Sequence, residues 1–255
     1  VIPLTWLYVP GDRPDRFASA VGSGADVVII DLEDAVAPAR KQLALEETAA
    51  FLSASHPVPV QVRISAPDQL TTLLGLPGLS GVRLPKVEEP VAPVGVPVHG
   101  LIESARGLER AAEIASSCAP AGSIGLGEAD LGADLGVSDD AGFAWARSRI
   151  VVAARAAGLP PPAMSVYPHV SDLDGLAASC LVGRGLGLLG RAAIHPRQLP
   201  VIDRAFRPTA DEVDRARLLL ERFDPAAGTA VLPDGRFVDV AMVAAARRTM
   251  ALAGG

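Results

Sequence analysis

The chain has only two cysteines, no clustered basic run and no apolar stretch of about 18 residues, and each scarcity removes a class of protein. Cys118 and Cys180 lie far apart without a C-x-x-C pattern, so neither a zinc knuckle nor a disulfide framework is expected. A reducing cytoplasm fits that usage. Lys and Arg number 23 against 29 Asp and Glu, a net charge of −6; with the cations dispersed, the phosphate-binding face that a nucleic-acid partner requires is not expected. Without a long apolar run no membrane helix is expected, and the opening "VIPLTWLYVPGDRP" has neither the charged start nor the length of a signal peptide. No internal repeat or low-complexity tract is visible.

What is present is an alternation. Short β-rich runs, "TWLYVP" (5–10), "DVVIIDL" (26–32), "VPVQVRI" (58–64), "GVRLPKV" (81–87), "VHGLIE" (98–103), "SIGLGE" (123–128), "AMSVY" (163–167) and "GRAAIHP" (190–196), are separated by amphipathic helical stretches. Strands apolar on both faces and joined by helices imply a parallel sheet. Eight such units predict an α/β fold of the TIM (β/α)8 barrel type over residues 1–206, with a doubly wound open sheet as the alternative. From 207 to 255 the pattern changes to helix, hairpin and helix, a C-terminal lid or oligomerisation segment whose first helix is announced by Thr209 and Glu212 in capping-box spacing.

Barrel enzymes work at the C-terminal ends of their strands. Here those positions hold Asp31, Glu33, Asp34, Arg63, Lys86, Glu88, Glu103, Glu128, Asp130 and His195. Acids dominate, as a Mg²⁺ site requires, because a hard cation takes carboxylates and keeps waters. Glu103 and Asp130, at adjacent strand ends, are the expected ligand pair. Asp134 is expected to be a solvated or capping acid, and His195, before a proline, to fix a turn. Arg63, ending an apolar strand, needs an acid or an anionic ligand; a salt bridge to Glu33 or Asp34 is the structural alternative to a substrate contact. Lys86 and Glu88 are expected either to orient Arg63 or to touch substrate.

The ordered series "LYVPGDRPDRF", "GADVVIIDLEDAV", "VRI", "LPKVE", "LIESARGL", "DLGADLG", "ARSRIVVAARAAG", "AIHPRQL" and "GRFVD" resembles the citrate lyase β-subunit-like family of the HpcH/HpaI aldolase superfamily. The resemblance implies a TIM barrel, Mg²⁺ and cleavage of a carbon–carbon bond in a short hydroxyacyl thioester such as malyl-CoA, citramalyl-CoA or a citryl carrier. It implies Arg63 as a substrate-binding and catalytic residue, Glu103 and Asp130 as Mg²⁺ ligands with Glu103 also facing substrate, and Arg13 as a contact to CoA phosphate. Asp239 resembles a base supplied by a neighbouring subunit of a homotrimer or hexamer, and Glu33 completes the catalytic set. The sequence departs from the pattern at Ser65 where Asn is usual, in "GEADL" for "GAEDL", and in "VDVA" for "IDxP". An aldolase on a free 2-keto acid and a non-catalytic barrel subunit are the alternatives.

Overall fold

The computed structural model describes residues 2–224, 228–231, 235 and 237–254. Strand β2 (Val27–Asp31) is buried along its whole length, which is why its sequence is a continuous apolar run. On either side of it lie β1 (Thr5–Pro10) and β3 (Val60–Arg63), followed outward by β4 (Leu79–Leu84), β5 (Val98–Ile102) and β6 (Ser123–Leu126), while β7 (Arg191–Ala193) pairs with β1. All seven strands of this curled sheet run parallel. The helices are α1 (Phe17–Val21), α2 (Lys41–Leu52), α3 (Leu70–Leu73), α4 (Ala105–Glu109), α5 (Ala111–Cys118), α6 (Glu128–Leu135), α7 (Ala144–Ala156), α8 (Leu173–Gly185) and α9 (Leu199–Phe206). This is the (β/α)8 barrel architecture, with one difference from expectation.

"AMSVY" is predicted to be a strand, yet only Met164 bridges to Arg191. The flanking Pro160–Pro162 and Pro168 shorten the run, and its carbonyls are taken by side chains: Ser165 O accepts from Arg191 Nε at 2.9 Å and Tyr167 O from Gln198 Nε2 at 3.0 Å. Toward β6 the segment reaches only a side-chain bond, Glu128 N to Ser165 Oγ at 3.4 Å. Among the described residues no strand ladder joins it to β6.

The chain forms two compact units, Pro3–Asp203 and a second one from Arg204 onward. In the second, α10 (Ala210–Arg222) starts with a complete Thr209–Glu212 capping box. Strands β8 (Thr229–Val231) and β9 (Phe237–Asp239) pair antiparallel, and α11 (Val240–Ala253) follows. Residues 232–234 and 236, between these strands, lie outside the described residues. Ala216, Leu219, Val238, Val243 and Ala246 form a core of this unit's own. No helix among the described residues is long and apolar enough to cross a membrane.

Candidate active site

Asp31 ends β2 with only 1% of its surface exposed. Its carboxylate accepts from the backbone N–H of Glu33 at 2.9 Å and of Ala35 at 3.1 Å, folding "DLED" back over the strand end. Lys41 Nζ, from the start of α2, donates to the carbonyls of Leu32 and Glu33 at 2.8 and 2.5 Å. The loop is therefore fixed from two sides. Register places Asp31 opposite Arg63 on β3, and the guanidinium grips it with two bonds, Nε to Oδ1 at 2.7 Å and Nη2 to Oδ2 at 2.6 Å. Arg63 Nη1 lies 2.8 Å from Glu33 Oε2 and 3.4 Å from Asp34 Oδ2. The Glu33 oxygen is buried and off the hydrogen-bond direction, so it gains charge compensation without a directed bond. Burial opposes the charge on Arg63, but Asp31 more than offsets this and raises its pKa. The expected pairing with Glu33 and Asp34 is present; Asp31 is the stronger partner.

Lys86, after β4, adopts φ +54°, a left-handed conformation that costs a non-glycine residue on the order of 1–2 kcal/mol. The turn aims its N–H at Glu103 Oε2 (3.2 Å), while its Nζ lies 3.3 Å from Glu33 Oε1. One residue thus ties the two buried acids together. Glu88 turns elsewhere, accepting from Ser104 Oγ at 2.7 Å.

Glu103, just beyond β5, is 5% exposed. Across from it, any side chain at Gly127 would collide with its carboxylate, so glycine there leaves Glu103 its place. Burial, then the nearby Glu33 and Asp130 carboxylates, pushes the Glu103 pKa up to about 7. Glu33 is raised too, by burial first and by Asp34, against the pull of Arg63 and Lys86. Asp130 stands exposed in the first turn of α6. Among the described residues no three His, Cys, Asp or Glu side chains cluster to hold a metal. A carboxylate pair nevertheless fits Mg²⁺, which uses one or two protein carboxylates and keeps several waters, and a buried acid crowded by two others is relieved by a cation.

The other acids of "GEADLGADL" face different partners. Both Glu128 oxygens are held by Arg147 Nε and Nη2 at 2.7 and 2.9 Å, and Arg147, 1% exposed, also binds Asp140. Asp134 caps the start of α4 by accepting from Ala105 N at 2.7 Å. Arg147 thereby anchors the helix that carries Asp130. We expect Arg147→Met to cost about 3–5 kcal/mol, because it leaves Glu128 without its counter-charge; urea unfolding measures this, and a loss below about 1 kcal/mol would refute the anchoring role.

Arg13, on the loop after β1, is exposed and paired with Asp15 at 2.8 Å. His195 caps the turn after β7, accepting from Arg197 N at 3.1 Å. Asp239, in the second unit, ends β9 and caps α11 by accepting from Met242 N at 3.1 Å. A groove of about 450 Å³ opens beside Lys86, walled by Ile64, Ser65, Leu84, Pro85 and Val91. Sequence reasoning did not assign roles to Lys41, Arg147, Tyr8 or Arg83. The guanidinium of Arg63 sits 5.3 Å from the Tyr8 ring centroid, a proximity set by strand pairing that no local motif announces.

Comparison with known proteins identifies the family. Residues 4–93 and 92–196 match the HpcH/HpaI aldolase/citrate lyase family. A citrate lyase subunit beta-like protein of Mycobacterium tuberculosis is 36% identical over 231 residues, covering 84% of this chain and 83% of its own. A (3S)-malyl-CoA thioesterase of Cereibacter sphaeroides is 32% identical over 269 residues, covering 97% and 93%. The crystal structure of M. tuberculosis CitE in complex with magnesium, acetoacetate and coenzyme A superposes with a TM-score of 0.82 at 32% identity, covering 99% of this chain and 98% of that one. With more than half of its length matched by the family and a relative 36% identical over 84% of it, the chain belongs to the HpcH/HpaI aldolase/citrate lyase family.

Proposed function

We propose that the protein is a Mg²⁺-dependent carbon–carbon lyase that cleaves a short β-hydroxyacyl-CoA thioester, of the malyl-CoA or citramalyl-CoA kind, to acetyl-CoA and a 2-keto acid. The observation that carries this reading is buried Glu103, near enough to exposed Asp130 and to Arg63 to feel the charge of both. Glu103 and Asp130 would hold Mg²⁺, which would supply Lewis-acid chemistry and a template for the oxygens of the acyl group. A structural neighbour crystallised with magnesium, acetoacetate and coenzyme A supports the same chemistry.

Arg63 keeps one N–H donor on each of Nη1 and Nη2 beyond those given to Asp34 and Asp31, and these stabilise the thioester oxygen as negative charge develops on it. Asp31 and the Lys41-held loop fix that guanidinium before substrate arrives. Asp239, supplied by a neighbouring subunit of a trimer or hexamer, removes the hydroxyl proton. The C–C bond then breaks to the keto group, its electron pair passes into the thioester enolate, and the proton held by Asp239 is available to that carbon. No oxidant or co-reactant is needed. Arg13 meets the CoA phosphates, and the groove beside Lys86, with apolar walls, accepts the thioester arm. The buried free thiols Cys118 and Cys180 suit a cytoplasmic, reducing setting.

Incubation of the pure protein and Mg²⁺ with a panel of hydroxyacyl-CoA thioesters, read by mass spectrometry, tests the reaction. Acetyl-CoA with a keto acid supports it. Free CoA with an intact hydroxy acid would instead mean hydrolysis, the activity named for the C. sphaeroides relative. Asp239→Asn preserves the α11 cap, since Asn caps as well as Asp, and is expected to bind Mg²⁺ and thioester without cleavage. Mixing it with inactive Glu103→Gln under subunit exchange should restore activity by uniting an intact metal site with an intact base. Confirmed exchange with no activity would remove Asp239 from the role.

A further inference from the structure

Among the described residues Lys86 is the one non-glycine residue with a positive φ, and backbone held in so sparse a conformation marks a place where the fold uses it. The local sequence explains how the kink forms. Strand β4 pairs with β5 as far as Leu84 and Gly100. Pro85 has no N–H with which to continue the ladder, and the chain rejoins β5 at Val87, whose N–H donates to Leu101 O at 2.9 Å. Val87 is buried, and its carbonyl lies where a side chain at Gly107 of α4 would collide with it. Pro85 and Lys86 are therefore squeezed out between two fixed points, and the left-handed turn at Lys86 swings its N–H away from the sheet.

That redirected donor decides which way Glu103 faces. The Lys86 N–H meets Oε2 at 3.2 Å, the one hydrogen bond that the Glu103 carboxylate receives among the described residues. The ammonium goes elsewhere, to Glu33 Oε1 at 3.3 Å. The other Glu103 oxygen, Oε1, is the first atom that a side chain at Gly127 would strike, so it points at the N-cap of α6. Gly127 N is itself tied to Ile102 O at 3.0 Å, and Asp130 follows in the first turn of that helix. One oxygen is thus engaged on the β4 side, and the other is turned to the side that carries Asp130. The same bond favours the ionised form of an acid that burial and its neighbours push the other way.

We propose that Lys86 is a positioning residue for the metal site: its left-handed backbone holds Glu103 in the orientation that presents Oε1 to the cation, and the peptide N–H, not the ammonium, carries that role. The inference rests on the Mg²⁺ reading above. Without this donor the carboxylate would have to be ordered as the cation binds, and that ordering costs affinity.

The test separates backbone from side chain. Lys86→Gly and Lys86→Asn lose the ammonium yet adopt the left-handed conformation readily, whereas Lys86→Val loses the ammonium and, being β-branched, resists it. Calorimetric titration of the metal-free proteins with MgCl₂ should give Kd values within about threefold of wild type for Lys86→Gly and Lys86→Asn, and roughly 10–100-fold weaker for Lys86→Val, as when a partner that orients a metal ligand is removed. Thermal melting of each metal-free protein establishes that it is folded. If Lys86→Val does not fold, Lys86→Ala takes its place, with a smaller loss expected in the same direction. Equal weakening in all variants would assign the effect to the ammonium and overturn the proposal. So would melting temperatures that follow the strain while the Kd values stay together, the result for a merely structural residue. Glu103→Gln, titrated alongside, tells the two readings apart: if it loses Mg²⁺ while Lys86→Val keeps it, only this inference falls. If wild type and Glu103→Gln bind Mg²⁺ alike, or neither binds it, the metal site falls and this inference with it.

Discussion

Glu103→Gln is expected to eliminate Mg²⁺ binding at millimolar concentrations and with it turnover, while the barrel still folds; Asp130→Asn should have the same effect on metal binding. The reason is that a hard cation needs anionic oxygen, which the proposed pair of carboxylates at the β5 and β6 ends would offer. The metal-free proteins then differ in their response to pH. With a folded pKa of about 7 against an ordinary value of 4.5, Glu103 keeps its proton in the native state where the unfolded chain has lost it. Stability of the metal-free wild type therefore falls as pH rises between those two values, by at most about 1.4 kcal/mol per unit from this group. Above pH 7 the full penalty remains. Glu103→Gln has no such slope, so at pH 8 the inactive variant should melt higher than the metal-free wild type, and Mg²⁺ should raise the wild type alone. Full turnover by the Gln variant, or parallel melting curves from pH 5 to 8, would remove Glu103 from the site.

Arg63→Ala is expected to lower kcat by roughly 10²–10³-fold, by analogy with the removal of one oxyanion donor, and to destabilise the fold by about 3–5 kcal/mol. Both effects have a visible origin. The first comes from N–H groups held ready by Asp31, and the second from leaving Asp31, 1% exposed, and buried Glu33 without their cation. Arg63→Lys should not rescue turnover, because a point charge cannot reproduce the two parallel bonds to Asp31. The double variant Arg63→Met/Asp31→Asn separates the two effects: it should recover much of the stability and none of the activity. If kcat stays near wild type while melting falls, Arg63 is an internal ion pair and nothing more.

The apolar runs and the acids that follow them were legible in the sequence because each is local: "VVIID" can only be an interior strand, and the barrel rule carries Glu103 and Asp130 to one end. The pairing that decides what Arg63 does is not local. Asp31 meets it through the β2–β3 register and Arg83 stands beside it through the β3–β4 register, and no spacing within a single segment encodes either. The same holds for Arg147, which reaches back 19 residues to Glu128. "AMSVY" reads as a strand by composition, yet the proline flanks and the side chains of Arg191 and Gln198 take its hydrogen-bonding capacity. Thr209 with Glu212 is the opposite case, a complete motif within four residues that the structure reproduces.

The segment around Met164 also sets an order of opening. Its amides and carbonyls are tied to the β7 side, Met164 N to Gly190 O at 2.9 Å and Ala192 N to Met164 O at 3.1 Å, and on the β6 side by a single hydroxyl. A cylinder of strands with one unlaced seam loosens there at lower free energy than through its fully bonded wall. The turn carrying Glu128 and Asp130 borders that seam, whereas Asp31 and Arg63 sit in the laced half. Amide exchange should therefore run fastest along the seam, with the Glu128–Asp130 edge breathing while the guanidinium edge stays closed.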